Sequence, residues 1–213
     1  MGGTFELNTI YTGDARKLSK SIPDESIDLC LCDPVYQNID DYAWLSETCA
    51  RILKPGGNLI AQYGHYYQIE VLNAMNPHLD FVWPLVQWMP GQHAKHYGNK
   101  IVVRHKPYAW FSKGKRMGRF VFDMIDAPKK SKQHHAWGDN PAIFVQLILR
   151  LTDSNSVIFD PFCGGGTIPL SAKMCGHNWL AFEIDPETAE KARRRVYEAS
   201  FPLMVVEQDE LSF

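Results

Sequence analysis

Residues 156–173 read SVIFDPFCGGGTIPLSAK, and this stretch says most about the fold. The apolar residues that end at Asp160 suit a short buried strand, the glycines suit a tight turn, and the residues from Ile168 suit a helix. NWLAFEID (178–185) then predicts a second strand, and PETAEKARRRVYEA (186–199) predicts a second helix. Strands that alternate with helices favour a mostly parallel sheet.

The first half of the chain shows the same alternation. SIDLCLC (26–32) predicts a strand, DYAWLSETCARIL (41–53) a helix and NLIAQY (58–63) another strand. Further helices are predicted at 67–75 and 141–151, and further strands at 81–89, 100–105 and 108–114. We therefore predict an α/β fold, with a mostly parallel sheet and helices on both faces. Whether the tail 201–213 adds a final strand is left open.

Length and composition favour one domain. The chain has 213 residues, of which 45% are hydrophobic, enough to bury a sizeable core. We predict a single domain over 1–213, with a basic insertion at 90–137. Five cysteines, no apolar signal segment and no run long enough to span a bilayer favour a cytoplasmic protein without disulfides. We take Cys30 and Cys32 to point to different faces of their strand, and predict no metal site.

Charge is distributed unevenly along the chain. The whole chain carries a net charge of −2, yet residues 92–135 contain eleven Lys and Arg against two Asp, a net charge of +9. Aromatic residues are interleaved with these charges, which favours a nucleic-acid groove, although a solvated surface loop would have the same composition. The candidate nucleic-acid contacts are Lys95, Lys100, Arg104, Lys113, Lys115, Arg116, Lys129 and Lys130.

The glycine turn after Asp160 restricts the class of ligand. A dinucleotide fingerprint would need glycine where Pro169 stands, and the Gly-Lys-Ser/Thr ending of a phosphate loop is missing. The next strand ends near Glu183 and Asp185, where an acid accepts hydrogen bonds from ribose hydroxyls. These features predict an adenosine-like ligand that has no pyrophosphate.

A second candidate site follows the strand in IDLCLCDPVYQ (27–37). Asp33 and Pro34 interrupt the apolar run and Tyr36 follows, at a position that faces the ligand crevice in open α/β sheets. Taken alone, this stretch is equally consistent with an ordinary strand-ending turn.

Two motifs together resemble a known family. Asp160-Pro-Phe-Cys-Gly-Gly-Gly-Thr167 is similar to the D-P-F-x-G-x-G-T loop of amino-methylating DNA methyltransferases, and Asp33-Pro-Val-Tyr36 resembles their D-P-P-Y motif. The catalytic motif precedes the cofactor motif, which is the circularly permuted order of the beta group. Gly13-Asp14-Ala15 and residues 134–152 resemble the flanking segments. Val35 and Asn140 depart from the commoner Pro and Lys.

The resemblance implies a Rossmann-like fold, S-adenosylmethionine as cofactor and duplex DNA with base flipping as substrate. It implies catalytic roles for Asp33, Pro34 and Tyr36. The implied cofactor-binding residues are Asp14, Asp160, Phe162, Cys163, Gly164, Gly166, Thr167, Glu183 and Asp185.

The Asp at the head of the catalytic motif favours adenine N6 as the target, with cytosine N4 as runner-up. The sequence also leaves open an inactive or partner-dependent cofactor-binding module, a regulatory DNA-binding pseudoenzyme, an RNA base methyltransferase and a protein side-chain methyltransferase. The resemblance suggests a role in restriction–modification and allows a homodimer or a recognition partner.

Overall fold

The structure is a computed structural model that describes residues 5–89, 94–116, 119–126 and 140–200. Lys129 and Lys130, two of the predicted nucleic-acid contacts, lie outside the described residues, as does the tail 201–213.

An eight-stranded sheet forms the centre of the fold. Its strands run in the spatial order β1-β10-β9-β2-β3-β7-β4-β8, and β7 is the one strand of this sheet that runs antiparallel to its neighbours. Two short strands, β5 and β6, pair separately as an antiparallel hairpin. The strands are β1 (Thr9–Thr12), β2 (Ile27–Cys32), β3 (Leu53–Gln62), β4 (Asp80–Trp88), β5 (Ala94–His96), β6 (Ile101–Val103), β7 (His105–Ser112), β8 (Met124–Asp126), β9 (Val157–Asp160) and β10 (Asn178–Glu183).

Helices cover both faces of the sheet, because successive residues of its strands alternate between two apolar cores. Leu29 and Leu31 of β2 face one core, which three of the helices complete (α4, α5 and α6). Cys30 and Cys32 of β2 face the other core, which is completed by α1, α2 and α3. The helices are α1 (Ala15–Leu18), α2 (Ile39–Ile52), α3 (Gln68–Met75), α4 (Pro141–Leu151), α5 (Thr167–Met174) and α6 (Pro186–Glu198).

This architecture confirms the predicted α/β class, the mostly parallel sheet and the helices on both faces. The predicted helix at 141–151 has the predicted bounds, since the Asn140 side chain caps it at Ala142 N and Pro141 occupies its first position. Three short strands, β1, β5 and β8, were not expected from the sequence. Each has three or four residues, too few to show a clear period-2 pattern.

The expectation for Cys30 and Cys32 is wrong. Side chains two residues apart on a strand lie on the same face, and both thiols are buried in one core together with Cys49. Burial raises the pKa of Cys30 and of Cys32, so both stay protonated as small apolar groups. Among the described residues, no group of three or more His, Cys, Asp or Glu is arranged to hold a metal ion.

The predicted basic insertion at 90–137 divides into structurally different parts. Residues 105–112 form β7, a buried strand that lies between β3 and β4 inside the main sheet. Ahead of it, β5 and β6 form a hairpin at the edge where β4 ends. Within the described ranges, no helix is long and apolar enough to cross a membrane.

Candidate active site

The two sequence motifs meet at the point where the strand order reverses. From β9 the chain continues outward through β10, whereas from β2 it continues in the opposite direction through β3. Strands β9 and β2 are parallel neighbours, with Cys30 paired to Phe159. Asp160 and Asp33 therefore follow adjacent strands at their carboxyl ends, where open α/β sheets bind ligands.

Hydrogen bonds donated by its backbone N–H groups hold the glycine loop after β9 in place. The Asp160 carboxylate accepts a hydrogen bond from Phe162 N at 3.1 Å, and Cys163 N donates to Phe182 O at 2.9 Å. Gly164 has a φ of +46°, and an added Cβ there would meet no atom within 4 Å. The loop thus presents open space at Gly164, where a ligand can approach the backbone.

Gly166 is constrained for a different reason. Its φ is +75°, and an added Cβ would lie 3.0 Å from Val196 Cγ2 and 3.2 Å from Ala192 Cβ of α6. The Arg195 side chain fixes the same turn by donating to Gly165 O at 2.7 Å and to the Thr167 hydroxyl at 3.1 Å. Gly166 and Thr167 therefore have packing roles in the described structure, in addition to the ligand role that the resemblance implies.

Replacing Gly166 by Ala is expected to destabilise the protein through both strain and overlap. The left-handed backbone costs a non-glycine residue roughly 1–2 kcal/mol, and overpacking against α6 adds roughly 1–3 kcal/mol. Gly114→Ala is the matched control, because Gly114 has a φ of +72° but no atom within 4 Å of an added Cβ. Urea unfolding should show a clearly larger loss for Gly166→Ala, and equal losses would refute the close contact with α6.

Glu183 ends β10 beside this loop. Its carboxylate accepts hydrogen bonds from Gly164 N and Asp185 N, each at 2.9 Å. Gly13 N donates to Glu183 O at 2.8 Å, so Asp14 follows β1 at the same edge of the sheet. The structure thus brings Asp14 and Glu183 together with the glycine loop.

Two of the predicted cofactor-binding acids cap helices. Asp14 accepts from Arg16 N at 2.9 Å at the start of α1, and Asp185 accepts from Thr188 N at 2.8 Å at the start of α6. Hydrogen bonding with Thr188 lowers the pKa of Asp185. The structure therefore gives both carboxylates a structural role at this edge.

Negative charge converges between the two loops. Burial raises the pKa of Asp160 well above its ordinary value; the hydrogen bond from Phe162 N opposes this, and the nearby Asp33 and Glu183 carboxylates raise it further. Cys163 is buried in the loop, and burial raises the pKa of its thiol. This thiol is therefore a packing group, while the surrounding carboxylates favour a ligand that carries positive charge.

The turn after β2 exposes its acid and buries its proline. Asp33 is exposed, Pro34 is buried, and Val35 is 70% exposed. The Tyr36 ring lies against Gly64, where an added Cβ would be 3.1 Å from Tyr36 Cβ, and the Tyr36 hydroxyl accepts a hydrogen bond from Gln62 Nε2. The Asp33 carboxylate is thus presented at the surface beside a supported aromatic ring.

Aromatic contacts join the two loops. The Phe162 ring packs edge-on against Trp44 of α2, with ring centroids 5.8 Å apart. Arg16 lies 5.7 Å from the Trp44 ring and pairs with Asp41 at 2.7 Å. Because α2 follows directly from the turn that contains Asp33, these contacts fix that turn relative to the glycine loop.

Gln62 and Arg195 support the site but were not predicted from the sequence. Gln62 is fully buried, and besides supporting Tyr36 its backbone oxygen accepts from the Tyr42 hydroxyl at 2.9 Å. A polar residue at the end of the apolar run before Gly64 was the available signal for Gln62. Arg195 stands among three consecutive arginines of α6, which gave no such signal.

The predicted basic residues lie at opposite edges of the sheet. Lys95 and Lys100 of the hairpin, and Arg104 after it, are exposed at the edge that carries Asp33. Lys113 lies at the far edge, because β7 runs antiparallel, and its Nζ contacts Leu53 O at 2.9 Å. Lys115 and Arg116 follow Lys113 at this far edge, and the Arg116 guanidinium stacks on Trp110. The structure therefore does not bring Lys113, Lys115 and Arg116 to the candidate site.

Comparison with solved structures defines the fold class. The complex of M1.HpyAVI with SAM superposes with a TM-score of 0.76 at 19% identity, covering 90% of this chain and 99% of that one. The cytosine-N4-specific PvuII DNA methyltransferase gives 0.77 at 19% identity, covering 90% and 87%. The fold is the Rossmann-like fold of these methyltransferases.

Sequence comparisons support the more specific resemblance. Residues 139–194 match a family described as DNA methylase, and residues 4–61 match a methyltransferase domain. The type II methyltransferase M.BglII of Bacillus subtilis is 26% identical over 87% of this chain and 68% of its own length. M.HinfI of Haemophilus influenzae is 26% identical over 90% and 69%. These matches confirm the resemblance that the two motifs predict: the chain is similar to DNA methylases of the N6/N4 kind.

Proposed function

We propose that this protein transfers a methyl group from S-adenosylmethionine to the exocyclic amino group of a base in DNA, with adenine N6 as the target. The observation that carries the proposal is the position of Asp33 and the glycine loop on adjacent strand ends. One loop suits a cofactor, and the other presents a carboxylate beside an aromatic ring.

The residues of the glycine loop fit this cofactor. Gly164 leaves open space at the backbone, and Glu183 stands at the tip of the second strand, where ribose hydroxyls are bound in folds of this kind. Asp33 and Glu183 lie close enough to the buried Asp160 for their charges to raise its pKa, so acidic groups converge at this site. S-Adenosylmethionine supplies a methyl group made electrophilic by a positively charged sulfur, and this charge matches the surrounding carboxylates.

The catalytic turn suits an amino group as nucleophile. The lone pair of an exocyclic amino nitrogen is delocalised into the base, so the nitrogen is a weak nucleophile. Asp33 and the Pro34 carbonyl offer two acceptors for the amino protons, which favour a pyramidal nitrogen with an available lone pair. Asp33 is exposed and can pass the released proton to water.

Tyr36 suits the binding of the base itself. Enzymes that act on a base must bring it out of the duplex and hold it in a pocket, where aromatic rings stack on it. The Tyr36 ring is held at Gly64 and by Gln62, which keeps it beside Asp33. This arrangement supports a flipped base as the substrate.

Adenine is proposed over cytosine because Asp heads the catalytic motif, whereas the cytosine-N4 members of the resembled family more often have Ser there. One relative in fold is cytosine-N4-specific by name, so cytosine N4 is the second candidate.

The chain should be expressed in a bacterial host that has neither modified base, and the host DNA digested for nucleoside mass spectrometry. N6-methyldeoxyadenosine is expected, with a much smaller amount from Asp33→Ala. N4-methyldeoxycytidine alone would refute the adenine assignment.

Basic residues at the site edge should contribute to DNA affinity. Lys95→Gln with Lys100→Gln is expected to weaken duplex binding and to lower the slope of log K against log salt by up to about 2, since each phosphate contact contributes about 0.9. Fluorescence anisotropy at several salt concentrations measures this slope.

The matched control for that pair is Lys20→Gln with Lys115→Gln. Both lysines are exposed and lie away from Asp33. Lys115 follows β7 at the far edge of the sheet. Lys20 is next to Ser19, whose backbone oxygen accepts a hydrogen bond from Arg51, and Arg51 stands at the opposite end of α2 from the turn that contains Asp33. The slope should not change in this control. Equal slopes for both double variants would show that the hairpin does not contact phosphates.

A further inference from the structure

The β5–β6 hairpin carries an exposed aromatic residue at its tip. Tyr97 begins the four-residue turn that joins the two strands, and it is 82% exposed. Ile101 and Val102 on the returning strand are each more than half exposed. Three large side chains exposed on one small hairpin are a feature that packing among the described residues does not explain.

Basic side chains surround these apolar ones. Lys95 is the cross-strand partner of Val102, so the two share a face of the hairpin, and Lys100 closes the turn with Lys100 N donating to Tyr97 O at 3.3 Å. Arg104 follows at the base, with its guanidinium 4.7 Å from the Trp88 ring. An apolar tip with a cationic rim is complementary to a base stack between phosphate strands.

The hairpin contacts the segment after β3 that supports the catalytic turn. His96 Nδ1 and the Tyr66 hydroxyl are 2.8 Å apart, and the Nε2 atoms of His65 and His105 are 3.3 Å apart. The adjacent residue Gly64 is the one against which Tyr36 packs. The hairpin is therefore linked, through Tyr66 and the nearby Gly64, to the segment against which Tyr36 packs.

The spacing of the strands suits simultaneous contact with DNA. Two strands, β3 and β7, separate β2 from β4, where the hairpin begins, and neighbouring strands are about 4.8 Å apart. The hairpin thus lies roughly 10–15 Å from the catalytic turn. This distance is comparable to the width of a DNA groove. It therefore suits a protein that holds an extruded base at one point and contacts the base stack at the other.

We propose that the hairpin inserts Tyr97 into the base stack of duplex DNA at the position that the extruded base vacates, while Lys95 and Lys100 contact the flanking phosphates. This inference rests on the proposed function. Extrusion of a base breaks pairing and stacking, and an inserted apolar side chain replaces part of the lost stacking. Tyr97 is accordingly a residue for base extrusion and not for methyl transfer.

The test uses duplexes that contain the target sequence, once sequencing of methylated DNA has located it. One duplex is fully paired, and the other has a mismatch opposite the target base, which lowers the cost of extrusion. The Tyr97→Ala variant should methylate the paired duplex at least 10-fold more slowly than the wild type. On the mismatched duplex, its methylation rate should be within about threefold of the wild-type rate. Tyr97→Phe should behave like the wild type on both.

A second readout does not depend on methylation. A fluorescent 2-aminopurine next to the target base brightens when its neighbour leaves the stack, and the wild type should cause this increase while Tyr97→Ala should not. Tyr197→Ala is the control, since Tyr197 lies on α6 and is 53% exposed. Equal losses on paired and mismatched duplexes, or an unchanged Tyr97→Ala, would overturn the insertion. A wild type that methylates no DNA would instead refute the proposed function.

Discussion

Asp33→Ala is expected to lower methyl transfer by about 10²- to 10⁴-fold, the range for loss of a positioned acid–base group or of a preorganised electrostatic contact. Cofactor affinity should remain within about threefold of the wild type, because the glycine loop that we propose as the cofactor pocket belongs to a different strand end. Filter binding of labelled methyl product and calorimetry with S-adenosylhomocysteine measure the two quantities separately.

Asp40→Ala is a suitable control for that variant. Asp40 is an exposed acid in the first turn of α2, close in sequence to Asp33 but outside the turn that is proposed to bind the base. Its transfer rate should stay near that of the wild type. A large loss of cofactor affinity in Asp33→Ala would mean that the two pockets are assigned to the wrong loops.

Glu183→Gln is expected to weaken the binding of S-adenosylmethionine and S-adenosylhomocysteine alike, by about 10- to 100-fold. The adenosine part is common to both ligands, so an acid that binds ribose affects them equally. The substitution also removes the carboxylate oxygen that accepts from Gly164 N, which loosens the loop. Calorimetric titration of both ligands gives the two affinities.

The matched control is Glu187→Gln on α6, where the acid pairs with Lys191 at 2.7 Å on the surface. Both affinities should be unchanged in this control. A loss confined to S-adenosylmethionine would place Glu183 near the sulfonium instead of the ribose, and no loss for either ligand would remove it from the cofactor pocket.

Much of this architecture was predictable because its signals are local. The apolar strand before Asp160, the glycine turn and the helix after it all follow from periodicity and backbone chemistry. Because each motif follows a predicted strand, both were expected at the edge where a parallel sheet collects its carboxyl ends. The structure bears this out at Cys30 and Phe159, which pair between β2 and β9.

Further features depend on tertiary structure, and the local sequence did not determine them. Lys95 and Lys113 belong to one basic stretch of sequence, but the direction of β7 sends them to opposite edges of the sheet. Gln62 lies within a stretch that predicts a buried strand, and its contact with Tyr36 arises only when β2 and β3 are paired. Charge composition therefore identified the segment, whereas strand direction decides which of its residues face the site.

The most direct test of the central claim is transfer of labelled methyl from S-adenosylmethionine to mixed-sequence duplex DNA by the purified chain alone. Label is expected in the DNA, released on digestion as N6-methyldeoxyadenosine and reduced about 100-fold or more by Asp33→Ala. Absence of label in the presence of measured cofactor binding would contradict it, and would show that the turn at Asp33 does not form a complete active site without another protein.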